Sequence, residues 1–235
     1  MIHKSPGLTN IYRNLHKDVP FHEIHDRYLR KIKDVYGYTP KVIYDIGSAV
    51  LHWHKGAKEV WPDSQYYFFE AVREVEDFYD EMGVTYQLDV LSDEVGKEVT
   101  YYQDLVCLGG NSYYRENPEL SPAAVDLYSD SSGMKRITNT VDNIVKIREF
   151  ELPDFVKIDV QGAELDILRG MTETLVNVQH MIIELQHDDY NIGAPKLDRS
   201  VAYLDSIGFE LVHSGQQKPG IFYAMHDADY HFKRK

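Results

Sequence analysis

The chain has 235 residues, 43% of them hydrophobic, with one cysteine and a formal charge of −13. That length suits one large α/β domain with at most a short appendage, and the apolar fraction suffices for a full core. The acidic balance disfavours nucleic acid, whose phosphates need clustered Lys and Arg. No run approaches the ~20 apolar residues of a membrane span, and Cys107 alone can form no internal disulfide.

Met1 to Asn10 lacks the apolar core of a secretion signal, so the expected compartment is cytoplasmic. Phe21, Ile24, Tyr28, Ile32 and Val35 then recur at helical spacing before Gly37. They predict an amphipathic helix within a helical appendage over residues 1–40. Its basic run, Arg27 to Lys33, reads as a solvated face. The apolar face needs cover from the main body or from a second subunit, which leaves a homo-oligomer open.

From Lys41 the chain alternates. Lys41 to Ile46, Gln65 to Glu70, Val84 to Leu88, Phe155 to Val160 and His180 to Leu185 read as buried strands. A helix follows Gly162, with Leu165, Leu168, Met171 and Leu175 on one face, and another lies around Ser200 to Ser206. Two closing strands, Phe209 to Val212 and Ile221 to Met225, flank a loop over residues 215–220, and Lys233 to Lys235 reads as a frayed tail. Alternation implies a mostly parallel sheet with helices on both faces. The short loop makes the final pair antiparallel. The expectation is therefore an α/β, Rossmann-like domain over residues 41–235 with a C-terminal antiparallel hairpin, the arrangement of Rossmann-like methyltransferases. Residues 98–151 break the rhythm and read as an irregular insertion or cleft cover.

Gly47 and Ser48 end the first strand, where a glycine lets backbone approach a ligand and free amides can bind its carboxylate. Glu70, at the end of the second, can accept hydrogen bonds from both hydroxyls of a ribose. A dinucleotide motif would place glycines where Ala49 and His52 stand, so a nicotinamide or flavin oxidoreductase loses ground.

Val42 to Ser48, Phe69-Glu70-Ala71, Asp89 to Asp93, Gly109 to Ser112 and above all Pro153 to Glu164 resemble the FkbM-type methyltransferases. Leu168-Arg169-Gly170 and Ile182-Ile183-Glu184 extend the likeness, which spans roughly residues 41–225. The resemblance implies a Rossmann-like methyltransferase fold, S-adenosylmethionine as donor and O-methylation of sugars or other secondary metabolites. It assigns Asp45, Gly47 and Ser48 to the first donor-binding motif and Glu70 to the ribose. Asp89, Leu91 and Ser92 fall in the stretch expected near the adenine. Two departures stand out: Leu51 replaces the motif's second glycine, and Gln161 replaces an acid. They motivate the alternative of a donor-binding module without turnover.

A hydroxyl needs a base within reach before it attacks a methyl group. Asp159 and Glu184 lie at the carboxyl ends of strands, where open parallel sheets hold ligands, and His187 follows closely. These three, with Lys157 as a partner for Asp159, are the candidate catalytic set. Asp159 could instead cap the following helix, and Glu164 reads as a first-turn helix charge. Asp159, Glu184, Asp188 and Asp189 offer oxygens of the kind Mg²⁺ prefers, but their spacing does not favour a metal. His52 and His54, two apart, make a poor zinc site and read as cleft-mouth residues. Among the 18 tyrosines, Tyr101, Tyr102, Tyr113, Tyr114 and Tyr190 fall in loops and could face a sugar, the leading acceptor.

Overall fold

A computed structural model describes residues 6–214 and 226–235. Two helices lead, α1 (Pro6–Asp18) and α2 (Glu23–Asp34). The first half of the sheet layer runs β1 (Val42–Ile46), α3 (His52–Val60), β2 (Gln65–Glu70), α4 (Glu76–Met82), β3 (Thr85–Leu88) and β4 (Val90–Leu91). Then come β5 (Glu98–Tyr102), α5 (Ala124–Leu127), β6 (Gly133–Asn139) and α6 (Val141–Arg148). The chain closes with β7 (Phe155–Ile158), α7 (Glu164–Arg169), β8 (His180–Gln186), α8 (Leu197–Ser206), β9 (Phe209–Ser214) and β10 (Asp227–Arg234).

Seven strands form the main sheet in the order β3-β2-β1-β7-β8-β10-β9. All neighbours are parallel except β10, which runs antiparallel to both β8 and β9. One antiparallel strand slotted beside a parallel sheet is the Rossmann-like methyltransferase arrangement expected from the sequence. The strand order reverses between β1 and β7, and ligands of such sheets bind outside the carboxyl ends at that point.

Strand alternation sorts the core into two layers. Val42, Tyr44, Ile46, Val156, Ile158, Met181 and Ile183 pack on the side of α6, α7 and α8. Ile43, Phe155 and Ile182 face the layer of α1 to α4, with Tyr12, Tyr28, Leu29, Trp53, Trp61 and Phe78. Asp45 and Lys157 therefore also point to this second layer, directly opposite one another in the β1–β7 register. Leu165, Leu168, Met171 and Leu175, expected on one helical face, are all buried, although α7 itself ends at Arg169.

The amino-terminal helices are part of this second layer. The expected single helix is two, and Val35 is 69% exposed rather than buried, because α2 stops at Asp34. The Phe21 ring sits where a Cβ on Gly56 would fall, so α3 carries glycine at the crossing. His16 Nδ1 donates to the Val50 carbonyl (2.7 Å), and Tyr28 donates to that of Asp229 (3.0 Å). The basic run is partly paired along the helix, Arg27 with Glu23 and Arg30 with Asp26. Burying side chains such as Tyr12, Tyr28, Leu29 and Ile32 contributes about 1.5–3 kcal/mol each. We expect a chain starting at Thr39 to precipitate or melt at a markedly lower temperature. A truncated chain with full-length solubility and melting temperature would contradict this.

Residues 98–151 are more regular than expected. β5 and β6 pair antiparallel, β4 joins β6 in parallel, and α6 leads into β7. The carboxyl terminus is also different. The strand expected over 221–225 and the loop over 215–220 lie outside the described residues. β9 pairs with β10, which includes Lys233 and Arg234, so these two residues of the expected frayed tail are sheet. Arg234 Nε donates to the Val178 carbonyl (2.7 Å), and its head also reaches the Leu175 carbonyl.

Candidate active site

A cleft opens at the carboxyl ends of β1, β2 and β7. The loop after β1 forms one wall. Gly47 has φ +78°, and a Cβ there would lie 1.8 Å from the Asp159 carbonyl oxygen. The glycine is therefore required by the chain's own β7 loop, rather than only by a ligand. Ala49 and Leu51 follow at φ +44° and +58°. Leu51 thus keeps the left-handed turn that glycine favours, at roughly 1–2 kcal/mol, while its side chain is wholly buried in the helical layer. Departure from glycine here leaves the turn intact.

Glu70 ties this loop to the next. One carboxylate oxygen accepts from Ala49 N (2.8 Å), the other from Ala71 N (2.7 Å) and Val72 N (3.0 Å). Burial pushes its pKa up, and these three amides oppose that. A carboxylate has about four lone-pair sites, so Glu70, which lines the cleft, can still accept from a ligand. Asp89 and Leu91 also line it. Ser48 does not: its hydroxyl is buried against Tyr79 Oη (2.8 Å) and the Phe69 carbonyl (3.1 Å). Ser92 is fully buried and donates to Asp93 Oδ1 (3.1 Å). The two serines and Asp45 support the cleft from behind.

The opposite end is built on β7 and β8. Lys157 Nζ is 1% exposed and lies 3.3 Å from Asp45 Oδ1, 3.4 Å from Asp159 Oδ2 and 2.9 Å from the Gly47 carbonyl, to which it donates. Burial opposes its charge, but Asp159 and Asp45 push its pKa up. Burial also raises Asp45, against the pull of Lys157. Asp159, with a quarter of its side chain exposed, lines the cleft. Burial would raise it, yet Lys157 and a hydrogen bond from Glu184 hold it at about 2. Glu184 goes the other way, pushed well above the carboxylate range by burial and by Asp159, Asp227 and Asp229.

Gln161 joins the two. Its amide nitrogen donates to Glu184 Oε2 (2.6 Å) and to Asp159 Oδ1 (3.2 Å), from a backbone at φ +58°. An acid at this position would add a third carboxyl to the group; the amide supplies a donor instead. Asp159 does not cap α7, whose start carries no side-chain cap; Glu164 instead holds the loop before it, accepting from Val160 N (3.2 Å) and Gly162 N (3.0 Å). His187 stands apart: it is exposed, does not line the cleft, and pairs its Nε2 with Tyr230 Oη (2.6 Å). The sequence had grouped it with Asp159 and Glu184, and the turn after β8 carries it away. Asp188 pairs with His226 (2.7 Å). Among the described residues, no three His, Cys, Asp or Glu are grouped to hold a metal ion.

The sequence model of the FkbM methyltransferase domain matches residues 43–211, most of the chain. The chain belongs to the FkbM methyltransferase family. Among curated proteins, hexuronic acid methyltransferase AglP of Haloferax volcanii is 39% identical over 57 residues, a match covering 24% of this chain and 24% of that protein. Among solved structures, the N-methyltransferase NodS of Bradyrhizobium japonicum, in complex with S-adenosylhomocysteine, superposes with a TM-score of 0.49 at 10% identity, covering 96% of this chain and 98% of that one. Aeropyrum pernix fibrillarin, with bound S-adenosylmethionine, gives 0.49 at 14% identity, covering 95% and 76%.

Membership makes S-adenosylmethionine the cofactor of this FkbM domain. The cleft suits it, with carboxylates at Glu70 and Asp159, and apolar Ile46, Phe69, Leu91 and Ile167 between them. Sequence reasoning underweighted His52. It lines the cleft at the start of α3, and its buried Nδ1 has no hydrogen-bond partner among the described residues. Burial, then Lys157, lower its pKa to about 4, so it is a neutral imidazole. The second wall, Tyr101, Leu108, Gly109, Asn111, Ser112 and Tyr113, comes from the 98–151 segment. Of the tyrosines expected in loops, Tyr101 and Tyr102 lie on β5, and Tyr101 and Tyr113 reach the cleft. The hydroxyls of Tyr113 and Tyr114 are both committed to Asp166 Oδ2 (3.1 and 2.8 Å), and Tyr190 donates to Glu116.

Proposed function

We propose that this FkbM methyltransferase methylates a hydroxyl oxygen of a sugar or glycan. The observation that carries the reading is the Asp159 carboxylate, open to the cleft and held ionised at the junction of β1 and β7. The name of the partial relative, a hexuronic acid methyltransferase, supports a carbohydrate acceptor.

When bound, S-adenosylmethionine supplies an electrophilic methyl group on a sulfonium. The protein's part is mainly to align two reactants, a proximity effect. In this reading Glu70 holds the ribose hydroxyls, and Asp89 and Leu91 flank the base. Asp159 accepts the hydrogen bond of the acceptor hydroxyl and takes its proton as the new bond forms. A carboxylate with a pKa near 2 is too weak to remove that proton beforehand. The proton becomes acidic only as the oxygen gains positive charge, and then a weak base suffices. The Gln161 amide, bonded to Glu184 as well, holds Asp159 in place, and Lys157 positions it from behind.

The reading is tested by mass-detected methyl transfer to a panel of glycosides, with the demethylated donor as the coupled product. Glu70→Ala is expected to weaken donor binding by about 1.5–3 kcal/mol, or roughly tenfold to over a hundredfold. Calorimetry showing unchanged affinity would remove the ribose assignment.

A further inference from the structure

The charges that line the cleft have one sign. They are Glu70, Asp89 and Asp159, and among the described residues no Lys or Arg joins them. The histidine in the lining, His52, is neutral. Glu70 and Asp89 stand on the donor's side in the reading above, so Asp159, Gln161 and His52 define the acceptor end. The cation nearest to it, Lys157, is buried behind the carboxylates and already engaged with Asp45, Asp159 and the Gly47 carbonyl.

Behind Asp159 further acids are grouped. Glu184 faces Asp229 across the β8–β10 register, and Asp227 follows two residues away. Burial and Asp159 raise Asp227 to about 6, a sign that the group resists further negative charge. His25 from α2 meets one of these carboxylates, Asp229, at 2.8 Å. A carboxylate brought in by an acceptor would meet an ionised acid with no Lys or Arg among the described lining residues to receive it. Like charges in a partly desolvated cleft repel strongly, and such repulsion is an efficient way to exclude a competitor.

We propose that the acceptor is uncharged around the methylated hydroxyl, a neutral sugar or glycan, and that the cleft rejects uronic acids. The inference rests on the hydroxyl-methylation reading and narrows it. It also separates this chain from the substrate named for its partial relative.

The test uses the full chain with matched pairs of 4-nitrophenyl glycosides: glucoside and glucuronide, galactoside and galacturonide, mannoside and mannuronide. In every pair that is methylated, kcat/KM should favour the neutral member by at least about tenfold. Equal or better turnover of the uronide would overturn the inference and leave hydroxyl methylation standing. No turnover of any member would overturn the sugar reading and this inference with it. A binding arm separates charge from shape. With Asp159→Asn loaded with S-adenosylhomocysteine, uronide affinity should rise about tenfold over wild type, while neutral glycosides change less than about threefold. Uronide affinity unchanged by the substitution would overturn the charge argument.

Discussion

Asp159→Asn is expected to bind S-adenosylmethionine normally and to transfer methyl about 10²–10⁴-fold more slowly, the usual scale of general-base catalysis. Asparagine keeps the oxygen that accepts from Gln161, and Lys157 keeps Asp45 and the Gly47 carbonyl. The donor side of the cleft is left unchanged, while the proton acceptor is lost. Single-turnover rates at saturating donor read this directly. The pH profile supplies a second check. Asp159 sits at about 2, so the wild-type rate should show no acid limb near the unperturbed histidine value of about 6.5. His187→Ala should leave the rate within about twofold, since its ring pairs with Tyr230 outside the cleft. Wild-type turnover by Asp159→Asn, or an acid limb abolished by His187→Ala, would move the base elsewhere.

His187 shows where sequence position stops being informative. A residue at the carboxyl end of a buried strand is placed by the strand itself, and Gly47, Glu70, Asp89 and Asp159 all reach the cleft for that reason. Two or three residues farther on, the turn decides. Ser48 rotates behind the loop because Gly47 takes a positive φ and the strand–loop hydrogen bonds run to Phe69. Lys157 is the partner expected for Asp159, at 3.4 Å, but it lies inside a strand, and alternation sends it beneath the helical layer, opposite Asp45, rather than into the cleft lining.

The strands were legible in proportion to their burial. β1, β2, β7 and β8 are apolar runs covered on both faces, as parallel strands must be. β5 and β6 form a small half-exposed sheet, with Ile137 56% exposed, and carry no such run. β10 hid behind its composition. Ala228, Tyr230 and Phe232 enter the core, while Asp227, Asp229 and His231 alternate with them towards the polar strip of Glu184 and α2. His25 and Asp229 meet there from opposite ends of the chain, a contact no local pattern encodes.

Lys157→Met tests whether that strip holds the site together. Methionine matches the stem of lysine but leaves Asp45, wholly buried, without its cation. Breaking a buried pair from one side costs about 3–5 kcal/mol, which for a chain of this size lowers the melting temperature by roughly 6–20 °C. The pH dependence has a definite sign. Asp159, depressed to about 2, contributes stability that is present above its unfolded pKa and lost as pH falls through 2. Lys157, raised, contributes stability below its own unfolded pKa and loses it only in strong alkali. The wild-type advantage should therefore be full near neutrality and shrink as pH falls through the carboxylate range, where the variant's two acids become neutral. Denaturant unfolding at neutral pH and near pH 4 measures this narrowing. Freed from Lys157, Asp159 should also titrate higher, and an acid limb absent from the wild-type rate should enter the accessible pH range. A variant with unchanged stability and a flat profile would mean that Asp159 is held ionised by other groups.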